Sequence, residues 1–152
     1  MTPKLLFRRL AVAEAITWAL LLIGMFLKYV TETTDLGVRV FGMVHGVVFI
    51  AYCLVALATW VNQKWSVGVG VLSLVSAVPP LATVLFDRRV EKAGLLEGPW
   101  RFARGGEAPS SPPERLLAWL TRNPAMALIV GVVAVIGLTG VALFVGPPAS
   151  GS

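Results

Sequence analysis

The chain has 152 residues, of which 57% are hydrophobic and only 14% are charged, and its mean hydropathy is +0.80. These values lie outside the range of soluble globular domains, so we expect lipid to be the solvent. The net charge of +5 could indicate nucleic-acid binding, but the basic residues avoid the apolar runs and gather at their ends and in one linker. That distribution predicts contact with anionic lipid headgroups and no nucleic-acid partner.

Four apolar segments are long enough to cross a bilayer as helices, which takes about 20 residues for a core of about 30 Å. In chain order they cover roughly residues 7–29, 40–61, 66–86 and 126–145. The sequence therefore predicts an all-α polytopic membrane helical bundle with four transmembrane helices. Basic residues and alanines near Met1 are reminiscent of a signal peptide, but the alanines precede the apolar core and Glu14 interrupts it, which predicts an uncleaved first helix.

The spans divide the chain into a three-helix membrane core, residues 1–90, a basic linker, residues 91–124, and a fourth span with a short tail, residues 125–152. The middle of the linker is rich in Gly, Pro and Ser, which predicts a loop.

A short helix is predicted late in the linker. Ser111 is followed by two prolines and Glu114, which is a capping-box pattern. The apolar side of this helix consists of Leu116, Leu117, Trp119 and Leu120. Because its other side is basic, we expect it to lie on the membrane surface.

The orientation follows from the lysines and arginines, since cytoplasmic loops are enriched in them. Arg8 and Arg9 favour a cytoplasmic N-terminus. With four spans, however, a cytoplasmic linker places nine cations inside and leaves four outside. We therefore expect the linker in the cytoplasm and both termini outside.

Five polar residues in or beside the spans are candidates for function, namely Glu14, Lys28, Tyr29, His45 and Tyr52. A charge in the middle of a span costs at least about 2.5 to 3.5 kcal/mol, so each requires a partner or a purpose. Glu14 lies about 10 Å inside the first helix. It either binds a proton or a cation, or it stays near the headgroups and reaches Arg8, Arg9 or a hydroxyl of a neighbouring helix.

His45, the only histidine, is bracketed by Gly42 and Gly46. This GxxxG pattern permits close approach of a neighbouring helix, which would bury the imidazole at a crossing. The imidazole is either a packed, hydrogen-bonded group or a ligand. A haem with two axial ligands would need Met25, Met43 or a second subunit. We predict no cofactor and no metal site.

Helical spacing places Glu14 and Lys28 on one face of the first helix. If Lys28 and Arg39 lie level at the connecting turn, Glu14 is about 21 Å from that end and His45 about 9 Å. The two residues should then belong to separate polar clusters, one near each membrane surface.

Pro79 and Pro80 interrupt the third predicted span. They remove two backbone donors, so the carbonyls of Val75 and Ser76 should lack their usual partners. The break falls in the same half of the membrane as His45, where it forms either one wall of a small cavity or a purely structural kink.

Several of these residues together resemble a known family. They are Arg8, Arg9, Glu14, Lys28, Tyr29, His45, Gly46, Phe49 and Tyr52, with prolines late in the third helix. The pattern is similar to a bacterial integral membrane family, common in actinobacteria, that is characterised by a His-Gly motif and classed as a domain of unknown function of the DUF3817 type. The resemblance covers about the first 90 residues. It implies a three-helix membrane core, matched here at Glu14, Lys28, Tyr29, His45, Gly46, Tyr52 and Pro80, and it implies no activity.

No catalytic motif is recognisable, so we predict no enzyme and no catalytic residues. Cys53 is the only cysteine, which excludes an internal disulfide. The favoured function is an accessory or assembly subunit of the bacterial plasma membrane that associates through its helices with other membrane subunits or a second copy. The alternatives are a small proton- or cation-coupled transporter that uses Glu14 and the His45 region, and a haem- or quinone-associated redox subunit.

Overall fold

A computed structural model of the chain describes residues 1–146, which form six α-helices and no strand. In chain order the helices are α1 (Pro3–Tyr29), α2 (Leu36–Gln63), α3 (Val67–Val75), α4 (Ala82–Lys92), α5 (Pro112–Arg122) and α6 (Pro124–Val145). The all-α polytopic membrane fold predicted from the sequence is confirmed.

Three helices in the described part of the chain are long and apolar enough to cross a membrane, namely α1, α2 and α6. Even α6, with 22 residues, extends about 33 Å at 1.5 Å per residue. These helices correspond to the first, second and fourth predicted spans. The tail predicted after the fourth span falls on residues 147–152, outside the described residues.

The third predicted span is divided into two helices at the break that Pro79 and Pro80 predicted, but the second helix does not continue the first across the bundle, so its prediction as a membrane span is wrong. Helix α3 ends at Val75 and α4 begins at Ala82, because Pro79 and Pro80 have no N–H with which to continue α3. The break is compact. The carbonyl of Val75 lacks its usual donor four residues on, which is Pro79, and accepts instead from the amide of Val78 at 3.1 Å.

Helix α3 runs inward from the end of the bundle where α1 begins. Next to its first turn, the Trp65 ring packs edge-on against Phe7, with 5.8 Å between ring centroids. At the break, Trp18 Nε1 donates to the carbonyl of Ala77 at 3.2 Å. Trp18 lies 11 residues beyond Phe7, so α3 and its break penetrate about 17 Å along α1.

Helix α4 then returns to the end from which α3 came. The Thr83 hydroxyl lies 3.0 Å from the carbonyl of Ala11, and Asp87, one turn later, accepts from Arg8 Nε at 3.0 Å. Residues 66–92 therefore form a re-entrant helical hairpin, hereafter the hairpin, which enters and leaves on one side. Such breaks are tolerated at membrane depth where surrounding protein satisfies the backbone.

The hairpin changes the topology expected from four spans. Lys4 Nζ pairs with Glu91 at 3.0 Å, and Trp100 Nε1 donates to the carbonyl of Met1 at 2.9 Å. The start of α1 and the linker therefore share one end of the bundle, hereafter the basic end. All of the 13 lysines and arginines except Lys28 and Arg39 lie there. The orientation predicted from the sequence, with the N-terminus and the linker on opposite sides of the membrane, is therefore wrong.

This charge distribution predicts a cytoplasmic basic end, with α6 leading outward. Single cysteines are introduced on a Cys53→Ser background at Thr2, Thr33 and Ala108, all of which are exposed. In intact cells we expect an impermeant thiol reagent to label only the cysteine at position 33, and permeabilised cells, as the control, to show labelling at all three. Labelling at position 2 or 108 in intact cells would reverse the orientation.

The linker folds onto the end of α2. Asn62 is fully buried, and its side-chain oxygen accepts from the amide of Arg101 at 2.8 Å. Arg101 also donates from Nη2 to the carbonyl of Val61 at 3.0 Å. These bonds attach the first part of the linker to the membrane core.

Helix α5 forms where the capping pattern predicted it. Backbone and side-chain hydrogen bonds from Ser110 lower the pKa of Glu114 to about 2, with a smaller contribution from the amide of Ser111. The apolar side of α5 is divided between the protein interior and the exposed surface. Leu117 packs in a small cluster with Phe102, whereas Leu116 and Trp119 are exposed.

Candidate functional site

The closest approach of α1 and α2 determines which residues face each other inside the membrane. A Cβ atom added to Gly24 would lie 2.7 Å from the carbonyl carbon of Gly37, so the two backbones touch at these glycines. The crossing predicted at Gly42 and Gly46 is wrong. A Cβ atom on Gly46 would meet nothing within 4 Å, and one on Gly42 would meet only a Leu21 methyl group at 3.8 Å.

This contact places Thr17 opposite His45, with 3.1 Å between Oγ1 and Nδ1. Thr17 Oγ1 also donates to the carbonyl of Glu14 at 2.9 Å. The prediction that Glu14 and His45 belong to separate clusters is therefore wrong. It assumed that Lys28 lies level with Arg39, whereas the glycine contact shifts α2 along α1 by more than a turn.

His45 is enclosed chiefly by aromatic rings. The residue is 9% exposed, and its ring centroid lies 4.6 Å from that of Trp18 and 6.2 Å from that of Phe49. Thr17 has one hydroxyl hydrogen, so when it donates to the carbonyl of Glu14, His45 donates from Nδ1 to Thr17. Met43, considered as a haem ligand, is 59% exposed and lies on a different face of α2.

Glu14 lies on α1 and is fully buried against α4. Its Oε2 lies 2.8 Å from the hydroxyl of Thr83. Its Oε1 is also buried and has no hydrogen-bond partner among residues 1–146. A carboxyl group in this position is shielded from water, and its hydrogen-bond partner is the Thr83 hydroxyl. We call Glu14, Thr17, His45 and Thr83 the polar site.

The Thr83 hydroxyl lies close to two acceptors, since the carbonyl of Ala11 is 3.0 Å away and Glu14 Oε2 is 2.8 Å away. One hydroxyl hydrogen cannot satisfy both. If Glu14 is a neutral acid, its O–H donates to Thr83, which donates in turn to Ala11, and both contacts become hydrogen bonds. The geometry thus accommodates a protonated Glu14 directly, whereas an ionised Glu14 competes with Ala11 for one hydrogen.

Arg8, considered as a partner for Glu14, is engaged elsewhere. It pairs with Asp87 and with Glu91 at the basic end, and Arg9 is exposed. Lys4 and Arg8 lower the pKa of Glu91 by donating hydrogen bonds to it. Asp87 is 3% exposed, and its Oδ1 is buried without a partner in the described part of the chain.

Tyr52 anchors the hairpin. It is fully buried, its hydroxyl donates to the carbonyl of Ser73 at 3.0 Å, and its oxygen lies 3.2 Å from Ser76 Oγ. Tyr52 is seven residues from His45, about 10 Å along α2 towards the basic end. It therefore lies near the polar site but does not join it.

Lys28 and Tyr29 are remote from the polar site. Lys28 Nζ lies 5.1 Å from the centre of the Tyr29 ring, and Tyr29 is 65% exposed. Lys28 is 11 residues from Thr17, about 17 Å along α1. Among the candidate polar residues, the structure links only Glu14 and His45, through Thr17, which contacts the His45 ring and the backbone carbonyl of Glu14.

Sequence reasoning missed Thr17, Thr83 and Asp87 as members of this region. Thr17 follows Glu14 by three residues, which places both on one helical face and was a usable signal. Thr83 and Asp87 reach Glu14 and Arg8 only because the hairpin turns back, and no local pattern predicts that return.

A profile of the family described as a domain of unknown function, DUF3817, matches residues 5–92, which is more than half of the chain. The chain belongs to this family. The resemblance inferred from the sequence is thereby confirmed. The matched residues extend from α1 to the end of α4 and include the polar site.

A curated relative in Streptomyces coelicolor is 44% identical over 101 residues, which is 64% of this chain, and is named, provisionally, a membrane protein. The match covers 12% of that relative, so this chain corresponds to a small part of a much longer protein. No solved structure matches the chain.

Proposed function

We propose that the protein is a small proton-coupled transporter of the bacterial plasma membrane in which Glu14 binds and releases the proton. The observation that carries this proposal is that Glu14 is completely buried and that its own Oε1 has no hydrogen-bond partner in the described residues. A carboxyl group in a membrane span is expensive and commonly serves proton or ion pathways. No lysine or arginine in the described residues forms an ion pair with it.

The hairpin supports the same proposal. Its break contacts Trp18 through the carbonyl of Ala77, and Trp18 packs on His45. Interrupted helices that end inside the membrane are used by transporters to expose backbone groups to a substrate or ion. The polar site thus lies beside a break of this kind, and we propose the hairpin as the element that moves when the proton exchanges.

A second candidate, an accessory subunit that acts by helix association, is favoured by α6. None of its 22 residues is buried, so most of its surface remains open to lipid or to a partner helix. A pull-down in mild detergent, with α6 removed in the comparison sample, would distinguish this candidate.

We expect Glu14→Gln to fold and to abolish function, because the amide preserves the shape but cannot exchange a proton. The measurement is complementation of a strain that lacks the gene, with membrane abundance followed by blotting. Infrared spectroscopy of the purified protein should show a pH-dependent carboxyl C=O band that is absent from the variant.

The matched control is Glu32→Gln, since Glu32 is an exposed glutamate in the loop between α1 and α2. It should complement fully and retain the carboxyl band. Full complementation by Glu14→Gln, or a Glu14 band that does not change with pH, would refute the proton-binding role.

A further inference from the structure

Two buried carboxylate oxygens without partners lie at one helix interface. Glu14 Oε1 and Asp87 Oδ1 are both buried and unpartnered within residues 1–146. Both carboxyl groups lie between α1 and α4, and Thr83, which touches Glu14 at 2.8 Å, is one turn before Asp87. Residues four apart on a helix are separated by about 6 Å along its axis. Asp87, Thr83 and Glu14 therefore form a polar line from the basic end into the membrane.

A cleft opens beside this line. It has a volume of about 310 Å³ and is lined by Arg8, Val12, Val84, Asp87, Arg88 and Glu91. A water molecule occupies about 30 Å³ in the liquid, so the cleft can hold several. Val12 and Val84 lie on the side of the cleft nearer the polar site, and its charged lining residues lie on the side nearer the basic end.

We propose that this cleft is the proton-access route to Glu14 and that Asp87 is the residue that takes the proton from water at the basic end. The proposal rests on the proposed function of Glu14. A proton from a hydronium ion in the cleft binds Asp87 Oδ1. It then passes along water to the Thr83 hydroxyl, which gives up its own proton and accepts the one from water, and an O–H bond forms at Glu14 Oε2, the oxygen that faces Thr83. Asp87 is left as a carboxylate, and release follows the same steps in reverse.

The surrounding charges suit this role. From α1, Arg8 donates to Asp87 Oδ2 at 3.0 Å and leaves Oδ1 free, while Lys4 pairs with Glu91. From α4, Arg88 and Glu91 face the same cleft. The titratable groups that α2 contributes to the core are His45, Tyr52 and Cys53. His45 is bonded to Thr17 and Tyr52 to Ser73. Asp87 thus combines a fixed position with a carboxylate oxygen that has no hydrogen-bond partner in the described residues, and it lines a cleft large enough for water.

The test measures how fast Glu14 is protonated. Protein in nanodiscs is subjected to a rapid pH drop while the Glu14 carboxyl band, identified by its loss in Glu14→Gln, is recorded. We expect Asp87→Asn to keep the full amplitude of the band but to slow its appearance about 100-fold, the low end of the effect of a positioned proton-transfer group. Asp35→Asn, an exposed aspartate before α2, should keep the wild-type rate.

A second variant does not alter any charge. Val84→Cys on a Cys53→Ser background should show the wild-type rate until a bulky thiol reagent fills the cleft, and the rate should then fall. A wild-type rate in Asp87→Asn, or a blocked cleft that leaves the rate unchanged, overturns the access route while the Glu14 site stands. If the wild-type protein has no pH-dependent Glu14 band, the proposed function fails and the route fails with it.

Discussion

Replacing Gly24 by leucine is expected to lower the melting temperature of the purified protein in detergent by about 6 to 12 °C. A Cβ atom at this position would lie 2.7 Å from the carbonyl carbon of Gly37 and 2.9 Å from the amide nitrogen of Val38. Both are backbone atoms that cannot rotate away, so α1 and α2 must separate. Overpacking of this kind costs about 3 kcal/mol, and a chain of this size loses about 2 to 4 °C for each kcal/mol.

The matched control is Gly46→Leu, because a Cβ atom there meets nothing within 4 Å. It should melt within a few degrees of the wild-type protein. Since Thr17 faces His45 only through the Gly24 crossing, Gly24→Leu should also disturb the polar site and reduce complementation. Equal melting temperatures for the two variants would contradict the crossing.

Gly70→Ala is expected to destabilise the hairpin by a comparable amount. An added Cβ atom would lie 2.0 Å from two ring carbons of Trp60. This ring is held by a hydrogen bond from its Nε1 to the carbonyl of Trp65 at 3.0 Å, so it cannot move without losing that bond. We expect a loss of about 3 kcal/mol, at the upper end of overpacking effects, measured as a lower melting temperature.

Gly68→Ala provides the control within the same helix, since its Cβ atom meets nothing within 4 Å. It should leave the melting temperature unchanged or raise it slightly, because alanine favours helix more than glycine does. Combining Gly70→Ala with Trp60→Leu should recover part of the loss by removing the ring. A stable Gly70→Ala protein would show that α3 does not pack against α2 in this way.

Much of the fold was predictable because it depends on local composition. Long apolar runs specify α1, α2 and α6 wherever they are placed, since a helix satisfies its own backbone in lipid. The capping pattern that starts with Ser111 specifies the start of α5 for the same local reason. The break at Pro79 and Pro80 was also visible, because proline removes a donor in any context.

The site was predictable only in part. A glutamate within an apolar run is conspicuous, and Glu14 does lie at its centre. The partners of Glu14 were not predictable, because they depend on where α4 goes after the break. A span that continues and a hairpin that returns have the same apolar composition, and only the contacts of Thr83 and Asp87 with α1 distinguish them.

Residue composition and spacing were enough to identify an all-α membrane protein, the family that it resembles, and Glu14 and His45 as polar groups inside it. These properties follow from residue type and spacing along a helix. Two features came from the packed structure alone. The register of α1 and α2 is set by Gly24 and Gly37 rather than by Gly42 and Gly46, and the third apolar segment returns to the basic end. Small residues allow close approach wherever they occur. The contact that forms depends on how all the helices pack together, and it is this contact that brings Glu14 and His45 into one site.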